Sequence, residues 1–148
     1  MSELAGTRVM VTGATSGLGA AMAAALSAAG ARVVVTSRRL TRAQAAARRL
    51  GPDALGVELD VRDEAAVSTT VGAVCDLLGG VDVLVNNAGI GMRTVNPRFL
   101  TDPQPFWEVA PERFRDVIDT KVTGVSSSPG RWRHGCWPPA PDGSSPSR

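Results

Sequence analysis

The stretch TGATSGLG, residues Thr12–Gly19, lies between the β-branched run RVMVT (Arg8–Thr12) and an alanine-rich segment from Leu18 to Ala29. In that segment Leu18, Met22 and Leu26 recur four apart, which is the spacing of one helical face. A strand, a glycine turn and a helix therefore follow one another directly. Gly13 and Gly17 permit backbone geometries or close approaches that a Cβ would obstruct, and Gly19 lets the helix pack tightly on the sheet. A helix entered this way offers free N–H groups and a positive dipole end to an anion. The plainer alternative is a tight βα loop that binds nothing.

Downstream the unit repeats. RVVVTS (Arg32–Ser37) has a second strand's composition, and Thr41 is placed to cap a helix through Leu50 that Gly51 and Pro52 end. ALGVELD (Ala54–Asp60) reads as a third strand. Asp63 can cap a helix whose Val67, Val71, Val74 and Leu78 form an apolar stripe ending at Gly79 and Gly80. VDVLVNN (Val81–Asn87) is a fourth strand. Strands alternating with helices require right-handed crossovers, so the class is α/β with a doubly wound parallel sheet. From Ile90 to Ala110 the chain reads as loop. Pro111 then opens a helix carrying Phe114, Val117, Ile118 and Val122 at helical spacing.

Composition narrows the partners. The 148 residues carry 16 basic and 14 acidic side chains, a field too weak to make nucleic acid or an anionic membrane the expected partner. No segment approaches the length of a membrane span. Cys75 and Cys136 fit neither a disulfide framework nor a metal-ligand spacing, so no metal site is expected and a cytoplasmic location is the natural reading.

Each remaining motif has a ligand reading and a plainer one. At the end of the second strand stand Ser37, Arg38 and Arg39, where an acidic residue would pair with a free ribose 2′-hydroxyl. Two guanidinium groups with a serine hydroxyl suit a 2′-phosphate, which favours NADP over NAD. The alternative is solvated charge ahead of an arginine-rich helix. Asp60 and Val61 close the third strand, where a carboxylate can accept from an adenine amino group and a valine can pack on its ring; a helix-entry turn is the alternative. Asn86, Asn87, Ala88 and Gly89 close the fourth, suited to a ligand crevice or simply to a turn.

Together these residues resemble the short-chain dehydrogenase/reductase family. TGATSGLG is similar to its TGxxxGxG cofactor turn and NNAG to its strand-four motif, with SRR, Asp60 and the helix ending VTGV in the expected order. The resemblance runs from about Leu4 to Val125. It implies strands one to four of a Rossmann sheet, ordered 3-2-1-4, in a dinucleotide-binding domain over residues 1–125. It implies hydride transfer between NAD(P) and an alcohol or carbonyl. The cofactor-binding residues implied are Gly13, Thr15, Ser16, Gly17, Leu18, Gly19, Ser37, Arg38, Arg39, Asp60, Val61, Asn87, Ala88 and Gly89.

The catalytic residues do not carry over. The family uses a strand-five serine, a YxxxK pair and a helix asparagine, whereas this chain has no tyrosine and has Lys121 at the asparagine's place. Lys121 reads as a surface cation at a helix C-terminus, and His134 with Cys136 lacks a scaffold for nucleophilic chemistry. No catalytic residue is assigned. The expectation is an oxidoreductase by resemblance, inactive as written; the alternatives are a non-catalytic NADP-binding module and a functionless fragment. An open edge at VDVLVNN is an aggregation template, which points to a homo-oligomer or association with an intact homologue as partner.

Residues 126–148 are rich in Ser, Pro and Gly and are expected to be disordered. Reading the codons of this segment across their boundaries, with G/C-rich third bases, turns it into FLARAVAPRMLAA, which has a helical apolar pattern. The tail is therefore read as an out-of-frame translation, which sequencing of the locus tests.

Overall fold

The computed structural model describes residues 2–124. The expectations of disorder and of a shifted frame for residues 126–148 fall outside them. The element order is β1 (Arg8–Val11), α1 (Gly17–Ala28), β2 (Arg32–Ser37), α2 (Leu40–Leu50), β3 (Leu55–Glu58), α3 (Glu64–Leu78) and β4 (Val83–Val85). A short helix α4 (Met92–Val95), a 3-10 turn at Phe106–Glu108, helix α5 (Pro111–Ile118) and a π-helical turn at Asp119–Thr123 complete it.

All pairings are parallel and the strand order is β3-β2-β1-β4, as the resemblance implies. Strand periodicity divides the core between the two faces. Val9, Val11, Val33 and Val35 point to the side covered by Ala23 of α1 and Ala46 and Ala47 of α2. Met10 and Val34 point to the side covered by the Val67, Val71, Val74 and Leu78 stripe of α3. Runs of consecutive valine are thus buried on both faces, which is why β1 and β2 lack the polar alternation of a half-exposed sheet. Strands β3 and β4 are the edges, and Val83 of β4 remains 42% exposed.

The end of the sheet away from the glycine turn is fastened by one ion pair. Arg8 donates to Asp82 through its backbone N (2.8 Å), Nε (2.9 Å) and Nη2 (2.6 Å), and through Nη1 to the Gly79 carbonyl. The Arg8 side-chain hydrogen bonds hold the Asp82 carboxyl below its usual range, against the opposing effect of burial. A depressed carboxylate contributes stability that is complete above its unfolded pKa and is lost as pH falls through the folded value. Asp82→Asn is therefore expected to cost about 2 kcal/mol at neutral pH. In urea titrations between pH 7 and pH 3 its deficit should narrow toward the acid end.

Several local expectations are corrected. Helix α1 buries Gly19 and Ala23, whereas Leu18 is 72% exposed; small residues let the helix sit close to the sheet, which turns the leucine outward. Helix α2 starts at Leu40, so Thr41 lies inside its first turn. The cap is supplied from β3, where Glu58 Oε2 accepts from Leu40 N at 3.0 Å. Asp63 does cap α3, accepting from Ala66 N at 2.9 Å. The third and fourth strands are shorter than the apolar runs that announce them: the Asp60 side chain turns to the Arg62 N–H, and the Asn87 N–H goes to the Val85 carbonyl and Thr12 Oγ1. Within the expected loop, α4 and the 3-10 turn are the regular pieces. Cys75 of α3 is disulfide-bonded, contrary to the expectation from its spacing. Separation along the chain is a weak guide here, since loop-closure cost grows slowly with length.

Candidate functional site

At the carboxyl ends of the four strands lies an open cleft of about 660 Å³. Of the cofactor-binding residues the resemblance implies, all but Gly17 line it: the β1–α1 turn contributes Gly13, Thr15, Ser16, Leu18 and Gly19, and β2 ends on it with Ser37, Arg38 and Arg39. The β3 end supplies Asp60 and Val61, and the β4 end Asn87, Ala88 and Gly89. The size falls within the ordinary range for small-molecule sites.

The cleft's floor is fixed by Thr12, which is 2% exposed. Its hydroxyl donates to the Val85 carbonyl (3.3 Å) and accepts from the backbone N–H groups of Asn87 and Ala88, both at 3.0 Å. The Asn87 side-chain amide donates back to the carbonyls of Thr12 (3.0 Å) and Gly13 (3.2 Å). This lattice joins the glycine turn to the end of β4. Gly13 has φ +65°, and a methyl group there would lie 2.8 Å from the Ala88 Cα. A Cβ on Gly19 would collide with the Asn87 amide, so this glycine makes room for a side chain as well as for the sheet. Gly17, at φ +57°, opens α1 from outside the lining.

Electrostatically the helix starts differ. Helix α2 has Glu58 at its first N–H and α3 has Asp63 and Glu64, whereas α1 has neither a side-chain cap hydrogen bond from Ser16 nor an acidic residue in its first turn. The α1 terminus opens on the cleft with its dipole uncompensated, facing the same space as Arg38, Arg39 and Arg42. Ser37 Oγ already accepts from Arg39 N at 3.3 Å, which orients the hydroxyl beside the two arginines. Two sets of anion-binding donors therefore face one cleft, the turn with the start of α1 and the arginines after β2.

Asp60 is less available than the sequence suggests. Arg62 donates to Oδ1 through backbone N and Nε, each at 3.0 Å, and to Oδ2 through Nη2 at 2.7 Å. Nε also reaches Oδ2 at 3.3 Å, so each carboxylate oxygen already accepts from two donors of Arg62. The Arg62 side-chain hydrogen bonds hold the Asp60 carboxyl below its usual range, with burial opposing and Arg38 adding a small electrostatic contribution. Asp60 thus lines the cleft with its carboxylate engaged in the turn that enters α3. Val61 is 8% exposed and packs into the α3-side core, so it offers the cleft only an edge.

Sequence reading missed Thr12, whose role depends on a hydroxyl reaching across to β4. It also missed Arg42, Leu59, Arg62, Ile90 and Thr120 of the lining. Arg42 carried a signal, standing one helical turn beyond Arg38; Thr120 carried none, since a π-helical turn presents it.

The sequence pattern of the short chain dehydrogenase family matches residues 7–128. The chain belongs to the short chain dehydrogenase family. This is an NAD(P)-binding oxidoreductase family with a Rossmann fold. Among short chain dehydrogenases, serine 3-dehydrogenase of Agrobacterium fabrum is 36% identical over 117 residues, covering 79% of this chain and 43% of that protein. The 3-oxoacyl-[acyl-carrier-protein] reductase FabG of Escherichia coli is 34% identical over 120 residues, covering 81% and 45%. The crystal structure of a 3-ketoacyl-(acyl-carrier-protein) reductase from Brucella melitensis complexed with NADH superposes with a TM-score of 0.75 at 37% identity, covering 85% of this chain and 48% of that one. The chain thus spans less than half the length of these relatives. Among its described residues no helix is long and apolar enough to cross a membrane, and no group of three or more metal-ligating side chains occurs.

Proposed function

We propose that residues 1–125 form a dinucleotide-binding unit that takes NADP(H) in preference to NAD(H) and, as these 148 residues stand, does not turn over a substrate. One observation carries the reading: the uncompensated start of α1 and the arginines following β2 open on a single cleft. The glycine turn and α1 hold the pyrophosphate through backbone N–H groups, and Ser37, Arg38 and Arg39 take the 2′-phosphate with Arg42 beside them. Asp60 and the edge of Val61 border the adenine, and Asn87, Ala88 and Gly89 shape the path to the nicotinamide. Hydride transfer between NADP(H) and an alcohol or carbonyl is the reaction of the whole protein in this reading. The chain as written has no tyrosine to move the accompanying proton. A cytoplasmic setting belongs to the same proposal.

A partner is part of it too. Among the described residues the β4 edge is unpaired on one side, and Phe114, Ile118 and Val122 leave an exposed apolar line along α5 and the turn after it. A second copy or an intact homologue would cover both surfaces.

The test is a pair of titrations. Arg38→Ala combined with Arg39→Ala is expected to weaken NADPH about 30- to 100-fold, the loss of charge-assisted bonds to one phosphate, and to leave NADH within about twofold. Equal losses for the two nucleotides would remove the 2′-phosphate assignment. Measurable NADPH-dependent carbonyl reduction by the wild-type chain would remove the claim of inactivity.

A further inference from the structure

Read from sequence, Lys121 is a solvated cation near a helix end. The structure keeps it exposed at that helix end and also sets it against the end of β4. Beyond Ile118 the helix widens into the π-helical turn Asp119–Thr123, a form often found at functional sites. In this turn Thr120 is 8% exposed, lines the cleft and donates from Oγ1 to the Asp116 carbonyl at 2.7 Å. Lys121, next in the chain, lies against Gly89: a methyl group on Gly89 would stand 3.4 Å from both Cε and Nζ of the lysine. The ammonium therefore lies against the bare backbone of Gly89, which lines the cleft.

Its charge is not neutralised locally. Asp116, one turn earlier, pairs with Arg62 at 3.4 Å, and among the described residues no carboxylate forms an ion pair with Lys121. The strand order fixes which end of a bound dinucleotide it meets. Arg38, Arg39 and Asp60 follow β2 and β3 on one side of β1, while Gly89 follows β4 on the other. With the 2′-phosphate on the arginines and the pyrophosphate at α1, the nicotinamide half extends across the switch point to Gly89 and Lys121.

The two redox forms differ at that end by one charge: the oxidised nicotinamide ring is a cation and the dihydronicotinamide ring is neutral. We propose that Lys121, through its ammonium at Gly89, biases the cleft toward the reduced dinucleotide. The inference rests on the dinucleotide reading above and goes beyond it, because a general cofactor site has no reason to distinguish the two forms. At contact distances in a partly solvated cleft, repulsion between two unit charges is worth about a threefold to tenfold difference in affinity.

Calorimetric titration of the full chain with NADPH, NADP⁺ and adenosine 2′,5′-bisphosphate tests it. Lys121 is exposed, so Lys121→Met keeps the side-chain length and the fold while removing the charge. The expected result is a fall of about threefold to tenfold in the ratio of the NADP⁺ to the NADPH dissociation constant, with the bisphosphate unchanged and Lys121→Arg behaving as wild type. An unchanged ratio in Lys121→Met, with all three ligands bound, overturns this inference alone. If the wild-type chain binds none of the three, the dinucleotide reading fails and this inference with it.

Discussion

Gly13→Ala is expected to lower stability by about 3 kcal/mol and to remove dinucleotide binding. Two costs add at this position. The backbone has φ +65°, a left-handed conformation that costs an alanine about 1 kcal/mol or more. The new methyl would also stand 2.8 Å from the Ala88 Cα, which is backbone tied to Thr12 Oγ1 through the Ala88 N–H and cannot swing aside. Relief requires the turn and the β4 end to separate, which distorts the face offered to a pyrophosphate. Gly17→Ala supplies the control: φ is +57° there but nothing lies within 4 Å of the added Cβ, so about 1 kcal/mol is expected. Urea unfolding of the two variants should therefore differ by about 2 kcal/mol, the part due to the contact with Ala88.

Thr12→Val should cost about 2 kcal/mol, measured in the same way. The substitution preserves shape and deletes one hydroxyl that three groups use. Asn87 N keeps a second acceptor in the Val85 carbonyl at 3.0 Å. Ala88 N loses the acceptor it has in Thr12 Oγ1, and a buried donor without a partner carries most of the penalty. Thr12→Ser retains the hydroxyl and should stay within about 1 kcal/mol of wild type, which separates the hydrogen bonds from the packing of the methyl group. NADPH affinity should fall with Thr12→Val, because the same lattice positions Gly13 and Asn87.

Much of this architecture was legible in the residues. Consecutive valines in RVMVT and RVVVTS announce strands buried on both faces, and the Val67, Val71, Val74 and Leu78 spacing announces the face α3 buries, because both signals are local periodicities. The glycine turn and NNAG could be placed at strand ends for the same reason. Features made by residues distant in sequence were not legible. The cap of α2 comes from Glu58 on another strand, and the floor of the cleft depends on Thr12 reaching Asn87 and Ala88. Leu18, assigned to a packed face by its spacing, is turned outward because Gly19 and Ala23 are the residues small enough to meet the sheet. Asp60 shows the same limit at the site: its position at a strand end was evident, but its occupation by Arg62 was not. Lys121 was judged by the helix it belongs to, and its approach to Gly89 follows from a widened turn that propensity does not encode.

The four-stranded unit is expected to bind the dinucleotide by itself. Titration of the wild-type chain with NADPH, followed by nucleotide fluorescence, tests this directly. The predicted result is a saturable change that adenosine 2′,5′-bisphosphate competes away, because that ligand engages the arginines. A folded chain that shows no saturable change with NADPH would contradict it.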